Sequence, residues 1–579
     1  MKRRIFSVYL LILTLVILHS CNNDFLDKPP SVDVTEDIIF SNETQVTTFV
    51  AATYQESIPC GYPIDYGTNM RVYGAVLGAI CDEAEAGNPW TSAHNWNNGT
   101  VNASTIMMDE DDRFDRRWKA IRRCNILLER IHTVPEASNE FMNQVEGEAR
   151  FMRALLYFEG VKRYGGIPII SKRLNPSDEI SIPRSSIEEC IEFIVQDCDE
   201  AIRLLPASQP SSMRGRATKG AALALKSRTL LYAASPLFNS ATPYMDFGEN
   251  NNLICFGNYE QKRWQDAADA AKATLEWAAN SGCKLLTRYG AESNYVMVTE
   301  EQDNEEIILA NKAFGGWGRW DQVYGIIMPR FAGGWSNGGM SVPLNFVRFY
   351  EKKDGTKQEW QMDGGDNLLA MYEELDPRFR QTVAYHGSIW NTEIGVVDLS
   401  EGSTQAGRQF CPGSHYMRKL IPHSLLFNGS NYPIMNWIVF RLAEIYLNHA
   451  EALNEANNGP TNEAYQSIDL VRARSGMPPL PRGLSKEEFR ERVRNERAVE
   501  LAFEEHRFWD IRRWKIADQD GVMKGDFYGL KINPADGDSG EYNYKPYVFE
   551  TRIWYDKMYL HPFKIEEIYK GYLVQNPGW

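Results

Sequence analysis

Residues 494–514 read RNERAVELAFEEHRFWDIRRW. No glycine or proline interrupts the run. Val493, Arg497, Leu501, Phe508 and Trp509 fall near helical repeats, so the pattern predicts one helix. Arginine and glutamate stand at spacings that pair along a helix and between helices. Two phenylalanines and two tryptophans imply that most of this surface is buried. Taken alone, these are packing residues and ion pairs, and His506 among them is structural.

Helical patterns extend outward from this run in pairs. Residues 114–131 carry Trp118, Ile121, Leu127 and Leu128 among charges, and residues 144–164 set Phe151, Leu155 and Phe158 on one face. Small Ala149 and Ala154 allow close helix contact, and Gly165, Gly166 and Pro168 stop the helix. Residues 186–205 and 218–234 form a second pair. Residues 437–455 and 461–475 form a third, joined by NNGP at 457–460. Its length is close to the roughly 34-residue tetratricopeptide period. Between about 300 and 435 the helical pattern lapses into glycines, aromatics and prolines, which predicts loops with short strands. Variable recognition on a rigid body usually sits in such regions.

The N-terminus has a leader. Lys2, Arg3 and Arg4 precede the apolar stretch 5–18, which is too short to span a membrane. The sequence LHSC at 18–21 looks like a lipobox with Cys21 as the lipidated residue, although His19 departs from the usual small residue. The following NNDFLDKPP reads as a tether over 21–35. No later stretch is long and apolar enough to cross a membrane. Removing a 20-residue leader with its three cations leaves 59 basic and 77 acidic residues, a formal charge of −18. That balance argues against nucleic acid as a partner. It leaves neutral sugars and peptides open. Aromatic content is 12%, with 15 tryptophans, more than a core alone requires. Eight cysteines besides Cys21 are scattered without C-x-x-C pairs, so no zinc site is indicated and mostly buried free thiols are expected, with one disulfide left open. Cys190 and Cys198 on one helix would lie about 12 Å apart, too far to bond.

Several stretches together resemble one family. They are the 494–514 run, GEARFMRALLYF (147–158), RYGGIP (163–168), GRATKGAALALK (215–226), DPRF (376–379), FRLAEIYLNHAEAL (440–453) and VRARSGMP (471–478). These resemble the SusD/RagB family, the surface-exposed nutrient-binding lipoproteins of Bacteroidota. A lipidated cysteine followed by DFLD and proline is also how such members begin, and Asp24 looks like the phylum's surface-export signal. The resemblance implies a mainly α fold: a tetratricopeptide-like right-handed superhelix with a loop-rich, short-strand-containing ligand-binding region. It divides the chain into an N-terminal helical region (36–300) and a C-terminal region (301–579), loop-rich over 301–435 and helical over 436–515. It also implies an outer-membrane, lipid-anchored, surface-facing protein that docks on a SusC-like TonB-dependent transporter.

Two patches are candidate ligand-binding surfaces. The first is FGGWGRWDQVY (314–324), continuing through Phe331 to Trp335. Its glycines leave the backbone open, and Trp317, Trp320, Tyr324 and Trp335 could stack on the apolar face of a sugar ring. Arg319, Asp321 and Gln322 could bond hydroxyls. The second is DEAEAGNPWTSAHNWNN (82–98), with Trp90 and Trp96 among Asn88, Asn95, Asn97 and Asn98. Asparagine amides donate and accept, which suits vicinal diols. The resemblance places ligand residues in both loops and brings them together on one face, here Trp90, Trp96 and Asn97. The N-x-S/T matches at 98–100 and 102–104 read as chance.

No metalloprotease, nucleophile-elbow or phosphate-loop motif occurs. The run DEDD (109–112) lacks the spaced ligands and glycine of an EF-hand, so it is expected to be a solvated helix start; calcium is not indicated and no cofactor is expected. The resulting expectation is a non-enzymatic receptor for an oligosaccharide or polysaccharide, binding weakly, at micromolar strength or so, because ligand is handed on. Rival readings are a peptide-binding member of the same family, a surface helical glycoside hydrolase, and a bare protein scaffold.

Overall fold

The structure is a computed structural model that describes residues 35–62, 72–312, 324–334, 338–407, 410–426, 433, 435–535 and 540–579. Its longer helices are α1 (Glu43–Ser57), α2 (Phe114–Arg130), α3 (Asn139–Tyr164), α4 (Ile187–Leu204), α5 (Lys219–Ala234) and α6 (Gln261–Ser281). In the C-terminal half they are α7 (Leu442–Ala456), α8 (Asn462–Arg474), α9 (Lys486–Glu500) and α10 (Arg507–Arg513). From α2 to α8 each packs on the next, the expected tetratricopeptide-like array.

Local chemistry sets many helix ends. Ser186 and Ser485 form capping boxes with Glu189 and Glu488, and Ser138 caps α3. Gly165 ends α3 at φ 77°, as its sequence position predicts. Helix α6 was not among the anticipated pairs, yet it bridges α5 and α7. Its buried face is largely alanine: Ala267, Ala268, Ala270, Ala271 and Ala278. Close approach to α5 is achieved at Gly220, where a Cβ would lie 2.2 Å from the Trp277 ring.

Short strands occupy the loop-rich region and the C-terminus. They are β1 (Glu85–Ala86), β2 (Ile307–Asn311), β3 (Met340–Ser341), β4 (Val383–Ala384), β5 (Tyr416–Met417), β6 (Trp437–Arg441), β7 (Gly525–Pro534) and β8 (Tyr542–Arg552). Antiparallel pairing gives the order β1-β3-β5-β4, a β2–β6 pair and a β7–β8 hairpin.

Three expectations need correction. Residues 437–441 are strand, not the start of a helix: WIVFR is aromatic and β-branched and pairs with IILAN of β2. Residues 494–514 are not one helix. Helix α9 ends at Glu500, and a turn with Phe503 at φ 61° and Glu505 at φ 63° separates it from α10. The Glu500 carbonyl, which would continue the helix, accepts instead from Arg441 at 2.7 Å. The Phe503 N–H donates to Glu83 at 2.9 Å, a carboxyl that burial pushes up to about 8. Asp109–Asp112 is not a solvated helix start. Glu110 binds Arg163 at 2.6 and 2.7 Å, and Asp111 binds Arg117 at 2.6 and 3.0 Å and accepts from the Tyr164 hydroxyl. The cysteines are as expected: all eight from Cys60 to Cys411 are free thiols, and only Cys283 is not fully buried.

The expected burial of the aromatic side chains holds: Phe503, Phe508, Trp509 and Trp514 are all buried. The charges are buried with them. Glu500 accepts from Arg441 at 2.6 Å, from Arg378 at 3.0 Å and from Arg474. Arg441 also grips Glu504 and Glu306. Burial works to raise the Glu500 carboxyl, but these three guanidiniums outweigh it and hold it far below the usual carboxylate range. Replacing Glu500 with Gln leaves buried cations under-compensated. Urea unfolding of Glu500→Gln is expected to show a loss of about 3–5 kcal/mol; a midpoint equal to that of the parent protein would contradict this.

Candidate ligand-binding face

The two patches singled out in the sequence are joined by the small sheet. Glu85 and Ala86 of β1 pair with Ser341 and Met340 of β3. The Gly87 N–H donates to Gly339 O at 3.0 Å, and the Gly339 N–H to Ile326 O at 2.8 Å. The described residues that flank segments 63–71, 313–323 and 427–432 also meet. Tyr62 sets its ring edge-on to Tyr324 at 5.8 Å and to Trp437 at 5.4 Å. The Tyr324 hydroxyl donates to Pro433 O at 3.1 Å and accepts from the Met435 N–H at 3.0 Å.

The structure places several of the candidate residues. Tyr324 is fully buried and both roles of its hydroxyl are taken, so it anchors the loop bases rather than facing a ligand. Trp96 is also fully buried. Its ring meets Phe508 edge-on at 5.4 Å, and its Nε1–H donates to Asp109 O. Asn97 is buried, with its amide donating to Glu85 at 2.7 Å and Ala79 O at 3.2 Å. Both were expected at the surface because they share a polar loop with Trp90; residues 93–97 instead form a short helix that turns them inward. Trp317, Trp320 and Trp335, with Arg319, Asp321 and Gln322, lie outside the described residues.

Trp90 does face solvent. It is 48% exposed and stands edge-on to Tyr73, itself 43% exposed, with ring centroids 5.6 Å apart. The indole lies over Gly74, where a Cβ would come within 2.2 Å of the ring, so only glycine permits this seat. Backbone bonds hold the pair in place: Thr91 Oγ1 donates to Tyr73 O at 2.6 Å, and the Tyr73 N–H donates to Met108 O at 3.0 Å. Tyr73 was not anticipated; its only signal in the sequence is an aromatic beside a glycine.

A charged cluster drawn from distant segments surrounds Glu85 of β1. His94 Nδ1 is 3.0 Å from Glu85, and its Nε2 is 3.1 Å from Asn88 O. Both partners are acceptors, so the ring serves both only as an imidazolium. The hydrogen bond to Glu85 raises the His94 pKa accordingly. Arg552 donates to Glu85 at 2.7 Å and to Glu550 at 2.8 Å. Burial opposes ionisation of Glu85, but His94 and Arg552 hold it below the usual range, whereas burial raises Glu550. Glu85, His94 and Glu550 are close enough to share a cation, and the Arg552 guanidinium already supplies one. The cluster was not legible in the sequence because Glu550 and Arg552 lie far along the chain. An apolar cavity of about 490 Å³ lined by Trp118, Ile121, Ile170, Ile182 and Leu573 shares no residue with this face, and no comparable set of exposed rings lines it.

With the fold and this face in view, the comparisons with known proteins are decisive. A SusD family profile matches residues 305–579, and a profile described as starch-binding associating with outer membrane matches residues 24–231. The chain belongs to the SusD/RagB family. A SusD-like protein from Bacteroides fragilis superposes with a TM-score of 0.77 at 28% identity, covering 94% of this chain and 99% of that one. A laminarin-binding SusD-like protein gives a TM-score of 0.59 at 22% identity, over 93% of this chain and all of the other. Among curated relatives, SusD-like protein P38 of Formosa agariphila is 23% identical over 90% of this chain and 94% of its own length. The family profile links members to the outer membrane. No helix among the described residues is long and apolar enough to cross a membrane.

The His94 bridge has a pH signature. A folded-state pKa above the unfolded value adds stability that is fully present below about 6.5 and is lost as pH rises through the raised value. Thermal melts should therefore show the parent protein's advantage over His94→Gln shrinking as pH is taken upward from about 6.5; a constant gap would show that His94 is not charged in the fold.

Proposed function

We propose that this SusD/RagB member is a surface glycan receptor, anchored through Cys21, that passes oligosaccharide to a SusC-like TonB-dependent transporter. The observation that carries the reading is the exposed Tyr73–Trp90 pair, held by the backbone bonds at Tyr73 and Thr91. Flat rings held in place stack on pyranose faces at little entropic cost. The laminarin-binding relative supports sugar as the ligand class. Anchoring beside a pore raises the local ligand concentration there, and micromolar binding allows release. The reading is non-catalytic: Glu85 and Glu550, the carboxylates of the His94 cluster, share Arg552 instead of standing free as an acid and a nucleophile. Trp317, Trp320 and Trp335 are proposed to complete the ligand surface.

Native affinity electrophoresis of the chain without its leader, against soluble polysaccharides, tests this. One glycan should retard the protein. Trp90→Ala and Trp317→Ala/Trp320→Ala should each weaken retention about tenfold, a stacking contact being worth roughly 1 kcal/mol or more. Retention by no glycan, with peptides bound instead, would replace sugar by peptide as the ligand.

A further inference from the structure

A second cleft of about 490 Å³ opens between the 348–360 segment, α9 and the 516–522 turn. Its charge runs against the rest of the protein, which is acidic overall. Arg348, Lys357, Arg492 and Arg494 line it, against only Glu351 and Glu491. A further lining cation, Arg507, is bound to Asp82 at 2.6 Å and is not available. Glu351 is saturated by Arg472 at 3.0 Å and Arg492 at 2.7 Å. Glu491 is an exposed partner of Arg494 at 3.2 Å. Neither Arg348 nor Lys357 has a carboxylate partner among the described residues; the Arg348 guanidinium lies 5.7 Å from the Tyr528 ring and against the sulfur of Met362.

Two N–H donors on the lining residues are also unanswered. Arg494 Nε and Trp360 Nε1 are buried atoms without an acceptor. Phe349 and Trp360 give the cleft aromatic walls. A concave site of this volume takes a small ligand rather than a flat protein surface. Planar guanidinium groups bind carboxylates and sulfates through paired hydrogen bonds, and an aromatic wall suits the ring that carries them.

We infer that this cleft is a subsite for an acidic oligosaccharide, its uronate carboxylate or sulfate ester held between Arg348 and Lys357. The choice of a sugar as carrier of the anion rests on the glycan reading above; the choice of an anion rests on the cleft alone. Both side chains are exposed, so substituting them leaves the core intact.

Calorimetric titration of the chain without its leader tests the cleft, with trigalacturonate in one arm and a sulfated carrageenan tetrasaccharide in the other. Binding of either probe, falling as salt is raised and weakened at least about tenfold in Arg348→Gln/Lys357→Gln at unchanged melting temperature, is the expected result. The arm that binds identifies the anion. Binding of neither probe, or equal binding by the double variant, overturns the inference. Neutral-polysaccharide retention through Trp90 is read separately: its loss alongside retained acidic binding counts against the aromatic face and supports the cleft.

Discussion

The carboxylate of Glu500 is the point on which the C-terminal half closes. Three guanidiniums converge on it, from β6, α8 and the short helix Pro377–Thr382. Removing so many charges from water is costly, and attraction between them offsets the cost only where geometry is complete. The lattice therefore acts chiefly as a template. It accepts one arrangement of strand, helices and turn, because any other strands a charge in the interior. The same rule recurs nearby: Asp510 and Glu451 clamp Arg497 and Arg513, and Asp82 receives Arg507.

This template explains what could be read from the residues in order and what could not. The paired helices α2 to α5, and α7 with α8, were legible because their apolar and small residues recur at helical spacing, a property each segment carries within itself. The break between α9 and α10 was illegible because its causes, Glu83 and Arg441, lie elsewhere in the chain. The acidic run at 109–112 misled for the same reason: its cations, Arg117 and Arg163, are supplied by α2 and α3. Helix α6 escaped notice because a face of alanines has little hydrophobic contrast.

The candidate face divides along similar lines. Trp90 could be nominated from composition, since a tryptophan in a polar loop has few reasons to be there. Composition could not separate it from Trp96, six residues on, whose direction is set by a one-turn helix and by a pocket formed from Phe508 and His561. Tyr73 and the His94 cluster emerge only in three dimensions, since they depend on Gly74 lying flat beneath an indole and on a strand returning from the C-terminus.

The eight thiols carry a separate consequence. Seven of them are buried, and burial pushes Cys124, Cys190, Cys283 and Cys411 up to about 12, so thiolate is scarce at neutral pH. Cross-linking between distant segments is done by guanidinium and carboxylate instead. A fold fastened in this way needs no oxidant to mature and has no covalent bond for a reductant to cut. Its integrity is indifferent to whether its surroundings hold oxygen.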